Sequence, residues 1–209
     1  MSVSHRVSPD HEVIVEHVSS LGPTATHMRG TLLVNSHENL RTLGLFEAYT
    51  AALSPRHREP IMYAIAASWI PMEVALAHYE ACDSLALDPA QFAKLGELMA
   101  MRVTDTFLSS ALRTTRNAGI ESVWLALQHN DRLWDRMYMG GGVTVVRTGP
   151  KDLLHETHGL PLVTSRYWRS AYVHYVTAFT NLFTRASYVK AVRASAPDPH
   201  RIAVAISFV

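Results

Sequence analysis

The chain has 209 residues, 48% of them hydrophobic and 18% charged, and its 19 basic and 18 acidic residues leave a formal net charge of +1. That length supports one core of ordinary size, and the near-neutral balance excludes a global field that would draw the protein to nucleic acid or to an anionic membrane. A single cysteine forms no internal disulfide, no run of about eighteen apolar residues is present to span a bilayer, and the N-terminus lacks the basic and apolar regions of a secretory signal, so a cytoplasmic protein is expected.

In chain order, the alternation of "EVIVEHV", Glu12 to Val18, predicts an edge strand ahead of the breaker "LGPTA". Residues 1–27 are expected to form an arm on a single domain of residues 28–209. The stretch "RGTLLVNS" reads as a strand through Thr31, Leu32, Leu33 and Val34, with Ser36 capping a helix that begins near His37. In "ENLRTLGLFEAYTAAL" the spacing by three or four of Leu40, Leu43, Phe46 and Tyr49 or Thr50 predicts one helix, ended at Ser54 by the proline that follows. A second helix is expected through "REPIMYAIAAS". Pro71 and Glu73 then suit the first turn of a third, because proline needs no N–H there and a carboxylate favours the positive end of the helix dipole. At about 100° per residue, Val74, His78, Ala81, Cys82 and Leu85 share the inner face of that helix.

Asp88-Pro89 opens the longest expected helix, reaching to about Thr115, with Gly119 beyond its end. Another covers "ESVWLALQHNDRLWDRMYM" and stops at Gly140-Gly141-Gly142. Those glycines precede a strand, "VTVVRTG", whereas a phosphate-cradling loop follows a strand and opens a helix. "HETHGLP" is expected as a loop or short helix, "SRYWRSAYVHYVTAFTNLFT" as an aromatic-rich helix, and "ASYVKAVRA" and "RIAVAISFV" as a hairpin turning at "SAPDPH". The resulting fold class is α+β: a helical layer packed on a small antiparallel sheet of three or four strands, ending in a C-terminal β-hairpin.

The segments "MRGTLLVNSHENLRTLG", "SWIPMEVALAHYEACDSLAL" and "GGGVTVVRTGPKDLL" to the closing hairpin resemble a family of bacterial proteins of similar length, found as paralogues in myxobacteria. More remotely they resemble the haem-NO-binding and 4-vinyl-reductase-like sensor domains, and the likeness covers about residues 28–209. The resemblance implies a ligand-binding or regulatory scaffold in which helices pack on an antiparallel sheet. The Tyr-x-Ser-x-Arg signature that haem-NO-binding domains use for the haem propionates is absent, "TSRYWRS" holding the residue types at other spacings, and one cysteine cannot supply the paired cysteines of the vinyl-reductase-like domains.

Four groups of residues carry candidate chemistry. His78 and Cys82, one helical turn apart, suit either two ligands of one metal or haem, or a hydrogen-bonded core histidine beside an inert thiol. The aromatic helix with Tyr167, Trp168 and His174 suits a pocket wall or an interface, and Trp69 joins it as a wall residue. His155 and His158 offer an incidental metal site; their spacing differs from that of the zinc-protease motif, which leaves Glu156 out of place as a base. The basic pairs Arg113/Arg116 and Arg166/Arg169 read as solvated helix faces, so nucleic acid is not an expected partner. The expected function is a non-enzymatic sensor or regulatory domain, homodimeric because few charges cover its surface, that binds a small hydrophobic or tetrapyrrole-like ligand such as haem through His78 or His174. The alternatives are an interaction module without ligand and a metal-dependent enzyme using His155 and His158.

Overall fold

A computed structural model describes residues 13–15, 23–106, 123, 130–192 and 198–209. The first half is helical around a short central strand. Strand β2 (His27–Arg29) leads into α1 (Gly30–Thr42), α2 (Phe46–Ala52) and α3 (Pro55–Met62), then β3 (Trp69–Pro71) and α4 (Met72–Asp83). Helix α5 (Pro89–Thr106) follows, with α6 (Asn130–Met137) and β4 (Tyr138–Met139) beyond it. Strands β3, β2 and β4 form a three-stranded antiparallel sheet with β2 in the middle, pairing Met28 with both Ile70 and Tyr138.

The second half builds a larger sheet. Strands β5 (Gly142–Gly149), β6 (Asp152–His158), β7 (Ser187–Val192) and β8 (Ile202–Phe208) join β1 (Val13–Val15) in the order β1-β5-β6-β8-β7, antiparallel throughout. Helix α7 (Arg166–Asn181), entered through a 3-10 turn at Pro161–Thr164, lies between β6 and β7 in sequence and against the sheet in space. Alternation sends Val143, Val145, Leu153, His155, Val204 and Ile206 to one face of the sheet. Five of these six are apolar and buried, which explains why α7 packs here.

Three expectations are corrected. The "TLLV" stretch is helical, not extended: Leu33, Ser36, His37 and Leu40 are buried at helical spacing on α1, and this packing overrides the short-range strand signal. The single helix expected from Glu38 onward is two, because Gly44 takes φ +70°, and the N–H groups of Gly44 and Leu45 cap the carbonyls of Arg41 and Leu40. "HETH" is neither loop nor helix but the end of β6, paired on one side with β5 and on the other with β8. The expected small antiparallel architecture is present as two sheets, one of three strands and one of five. The expected helix beyond Thr106 lies outside the described residues. No helix among the described residues is long and apolar enough to cross a membrane.

Two apolar clusters result. One lies under α1–α4 and the small sheet around Met28, Leu33, Leu40 and Tyr49; the other joins α7 to the large sheet through Val145, Val176, Phe183, Val204 and Ile206. Tyr172 packs against both. Helices α5 and α7 cross closely at Gly96, where a Cβ would fall 2.5 Å from the carbonyl carbon of His174. Because the obstacle is backbone rather than a flexible side chain, Gly96→Ala forces the two helices apart. It is expected to cost about 1–3 kcal/mol, read as a lower thermal midpoint; an unchanged midpoint would show that the crossing tolerates a methyl group.

Candidate ligand cavity

Between the two clusters lies a cavity of about 460 Å³, bounded by α1, α5, α6 and α7 and floored by β6 and β8. That size is in the range that accepts a small organic molecule. Its α7 wall is aromatic, with Tyr167, Trp168, Tyr172, Tyr175 and Phe179, and Leu153 and Ile206 rise from the sheet. Trp168 and Tyr172 stack at 4.8 Å with an 11° interplanar angle, presenting a flat apolar surface. The orientation of this wall is set at the start of α7: the Ser165 hydroxyl accepts from the Trp168 N–H at 3.0 Å, while Asp83 at the end of α4 accepts from the Ser165 hydroxyl at 3.0 Å and the Tyr167 N–H at 2.5 Å.

The α1 wall is polar. Asn35, Ser36 and Asn39 line the cavity, with Asn35 and Asn39 one turn apart, and Arg102 of α5 donates from Nε to Asn39 Oδ1 at 3.2 Å and from Nη1 to Asn35 Oδ1 at 3.5 Å. Arg29 and Arg136 also line the cavity, so among the described residues three guanidinium groups border a mostly apolar volume. Arg29 is fixed by its 4.6 Å approach to the Trp69 ring and by donation to the Ala67 carbonyl at 3.0 Å.

Of the residues singled out in the sequence, Tyr167, Trp168 and His155 line the cavity, and Trp69, His78, Cys82, His158 and His174 do not. His174 sits half-buried outside it, stacked on Phe92 at 6.2 Å. Trp69 acts indirectly, by holding Arg29. His78 is completely buried behind the α1 wall, and hydroxyls occupy both of its ring nitrogens: Tyr49 at 2.6 Å on Nδ1 and Ser36 at 2.9 Å on Nε2. The Tyr49 hydroxyl also meets His37 Nε2 at 3.1 Å, and Cys82 Sγ lies 3.8 Å from His78 Nε2. Burial lowers the pKa of His78 to about 3 and that of His37 to about 4, and it raises those of the Tyr49 phenol and the Cys82 thiol. The network is therefore neutral near pH 7, and the thiol is unreactive.

His155 and His158 are three residues apart on one strand, so they point to opposite faces of the sheet and cannot grip one ion. His155 faces the cavity, where its Nδ1 pairs with the Tyr172 hydroxyl at 2.8 Å and burial lowers its pKa to about 4. On the other face, His158 Nε2 pairs with the Thr144 hydroxyl at 2.7 Å. Among the described residues no group of three or more His, Cys, Asp or Glu side chains forms a metal site. The polar stripe of α1 and Arg102 escaped the sequence reading; Asn35 and Asn39 at i, i+4 become a signal only once Gly30–Thr42 is recognised as helix.

No protein-family model and no curated protein matches the sequence. Solved structures do match. One, described as "Modulating Heme Redox Potential Through Protein-Induced Porphyrin Distortion", superposes with a TM-score of 0.58 at 14% identity, covering 87% of this chain and 100% of the other. A second, "Probing the function of heme distortion in the H-NOX family", gives 0.58 at 13% identity over 87% and 95%. A third, "Structural insights into the molecular mechanism of H-NOX activation", gives 0.53 at 13% identity over 87% and 96%. The chain therefore has the α+β fold of the H-NOX, or haem-NO-binding, domains.

Proposed function

We propose that the protein is a non-enzymatic sensor domain of the cytoplasm whose cavity takes a flat, largely apolar molecule bearing an acidic group, tetrapyrroles included. The observation that carries this reading is the cavity itself: aromatic rings wall a volume of about 460 Å³ that three arginines border. Aromatic walls bind an apolar ring system by burial, and guanidinium groups bind carboxylates through paired hydrogen bonds.

The donor set fits haem. Arg29, Arg102 and Arg136 would meet propionates, the α7 rings would flank the macrocycle, and His155 is the one histidine among the described lining residues. Its imidazole is neutral, as an iron ligand must be, and the Tyr172 hydroxyl on Nδ1 fixes the ring orientation. When bound, haem would supply an iron centre that a gas can occupy.

Titration with haem and with metal-free protoporphyrin tests this reading. Both are expected to bind, haem more tightly and with a shifted Soret band, and His155→Ala is expected to remove the advantage of haem while leaving the affinity for protoporphyrin. If neither porphyrin nor any other apolar acid binds, the reading fails. A native mass spectrum of gently purified protein reads a retained ligand and the expected dimer together.

A further inference from the structure

The polar end of the cavity contains a group that the fold leaves unsatisfied. The Tyr167 ring is 3% exposed and lines the cavity, and its buried hydroxyl has no partner at full hydrogen-bonding distance, only a longer contact with the Ser36 side chain. A buried orphan donor is costly, and folded proteins keep few of them. Beside it stands Ser36, which also lines the cavity and whose Oγ is held from behind by His78 Nε2 at 2.9 Å.

The chain behind Ser36 decides what the pair can recognise. His78 is neutral, so one of its ring nitrogens donates and the other accepts. If Tyr49 donates to Nδ1, then Nε2–H donates to Ser36, and the serine proton points elsewhere. If the order is reversed, Ser36 donates to Nε2, Nδ1–H donates to Tyr49, and the phenol donates to His37 Nε2. Both orders satisfy every member of the chain, and they present to the cavity either a donating or an accepting serine hydroxyl beside the Tyr167 O–H.

We propose that Ser36 and Tyr167 form a recognition subsite for one uncharged oxygen of the ligand, a carbonyl or a hydroxyl, at the α1 wall of the cavity. The proposal rests on the cavity reading above and narrows the ligand class: a flat apolar acid that also carries a neutral oxygen function. A carbonyl accepts from both hydroxyls in the first proton order. A ligand hydroxyl accepts from Tyr167 and donates to Ser36 in the second.

Anilinonaphthalene sulfonate, an apolar anion that fluoresces when sheltered from water, serves as the reporter. It is displaced from the full chain by naphthoic acid or by the analogue that carries a hydroxyl at the far end of the rings. The hydroxylated acid is expected to compete about tenfold better than the plain one, and Tyr167→Phe, which keeps the ring, is expected to abolish that preference. The same substitution removes the orphan hydroxyl and is expected to raise the thermal midpoint of the ligand-free protein by about 2–4 °C. Equal competition in the unmodified protein overturns the subsite, as does a preference that survives Tyr167→Phe or a midpoint that stays level or falls. If the reporter and both acids fail to bind at all, the cavity reading itself has failed, an outcome separate from equal binding.

Discussion

Acidification from about pH 7 to about pH 5 is expected to destabilise the protein by on the order of 5 kcal/mol and to lower its thermal midpoint by ten degrees or more. Three buried histidines are the cause. His78 titrates at about 3 in the fold, His37 at about 4 and His155 at about 4, all pushed down from 6.5 chiefly by burial, with Arg41 adding to the effect at His37. Unfolding returns each imidazole to its ordinary value, so below about pH 6.5 the unfolded chain binds protons that the native one refuses. Stability is therefore whole above that pH and declines as pH falls toward the folded values, by about 1 kcal/mol per pH unit for each histidine. Thermal melts at stepped pH measure the slope. A flat profile between about pH 7 and pH 5 would mean that these rings titrate in the fold as they do in the unfolded chain.

Replacement of His78 by alanine is expected to cost about 3–5 kcal/mol. The ring is fully buried, so its removal leaves a void, and it also strips the hydroxyls of Tyr49 and Ser36 of their shared partner. Because His78 does not line the cavity, the folded fraction of the variant is expected to bind protoporphyrin within a few-fold of the unmodified protein. A chemical-denaturation curve measures the first quantity and a porphyrin titration the second. A variant of ordinary stability that no longer binds haem would instead place the imidazole at the iron.

The fold class was legible in the sequence because its longest signals were periodic. The inner face of α4 through Val74, His78, Ala81 and Cys82, the aromatic run of α7 and the alternation of β5, β7 and β8 each matched one structural period. Short segments were ambiguous. Four residues, Thr31 to Val34, carry too few turns to separate strand from helix, and what decides them is the burial of Leu33, Ser36, His37 and Leu40 against α2 and α4. Strand β6 alternates weakly because Glu156 is buried along with His155 and Thr157, so the pattern of a half-exposed strand never appears.

The site was legible only in part. Spacing on α4 showed that His78 and Cys82 face inward but not what they face, since that depends on α1 and α2, which arrive from more than twenty-five residues away in sequence. Tyr167 and Trp168 stood out as aromatics. Arg102 and the asparagines of the opposite wall meet only through the crossing of α1 and α5, a tertiary fact that no local pattern encodes.

The small sheet also governs the order in which the protein can be made. Its central strand, His27–Arg29, is synthesised well before one neighbour, Tyr138–Met139, which follows more than a hundred residues later, and Val13–Val15 waits as long for Val145 and Val146. At synthesis rates of about 5–20 residues per second the two strands wait several seconds for these partners. The helices between them close locally in the meantime, so contact order assigns the slow step to sheet closure, and the cavity exists only once that step is complete.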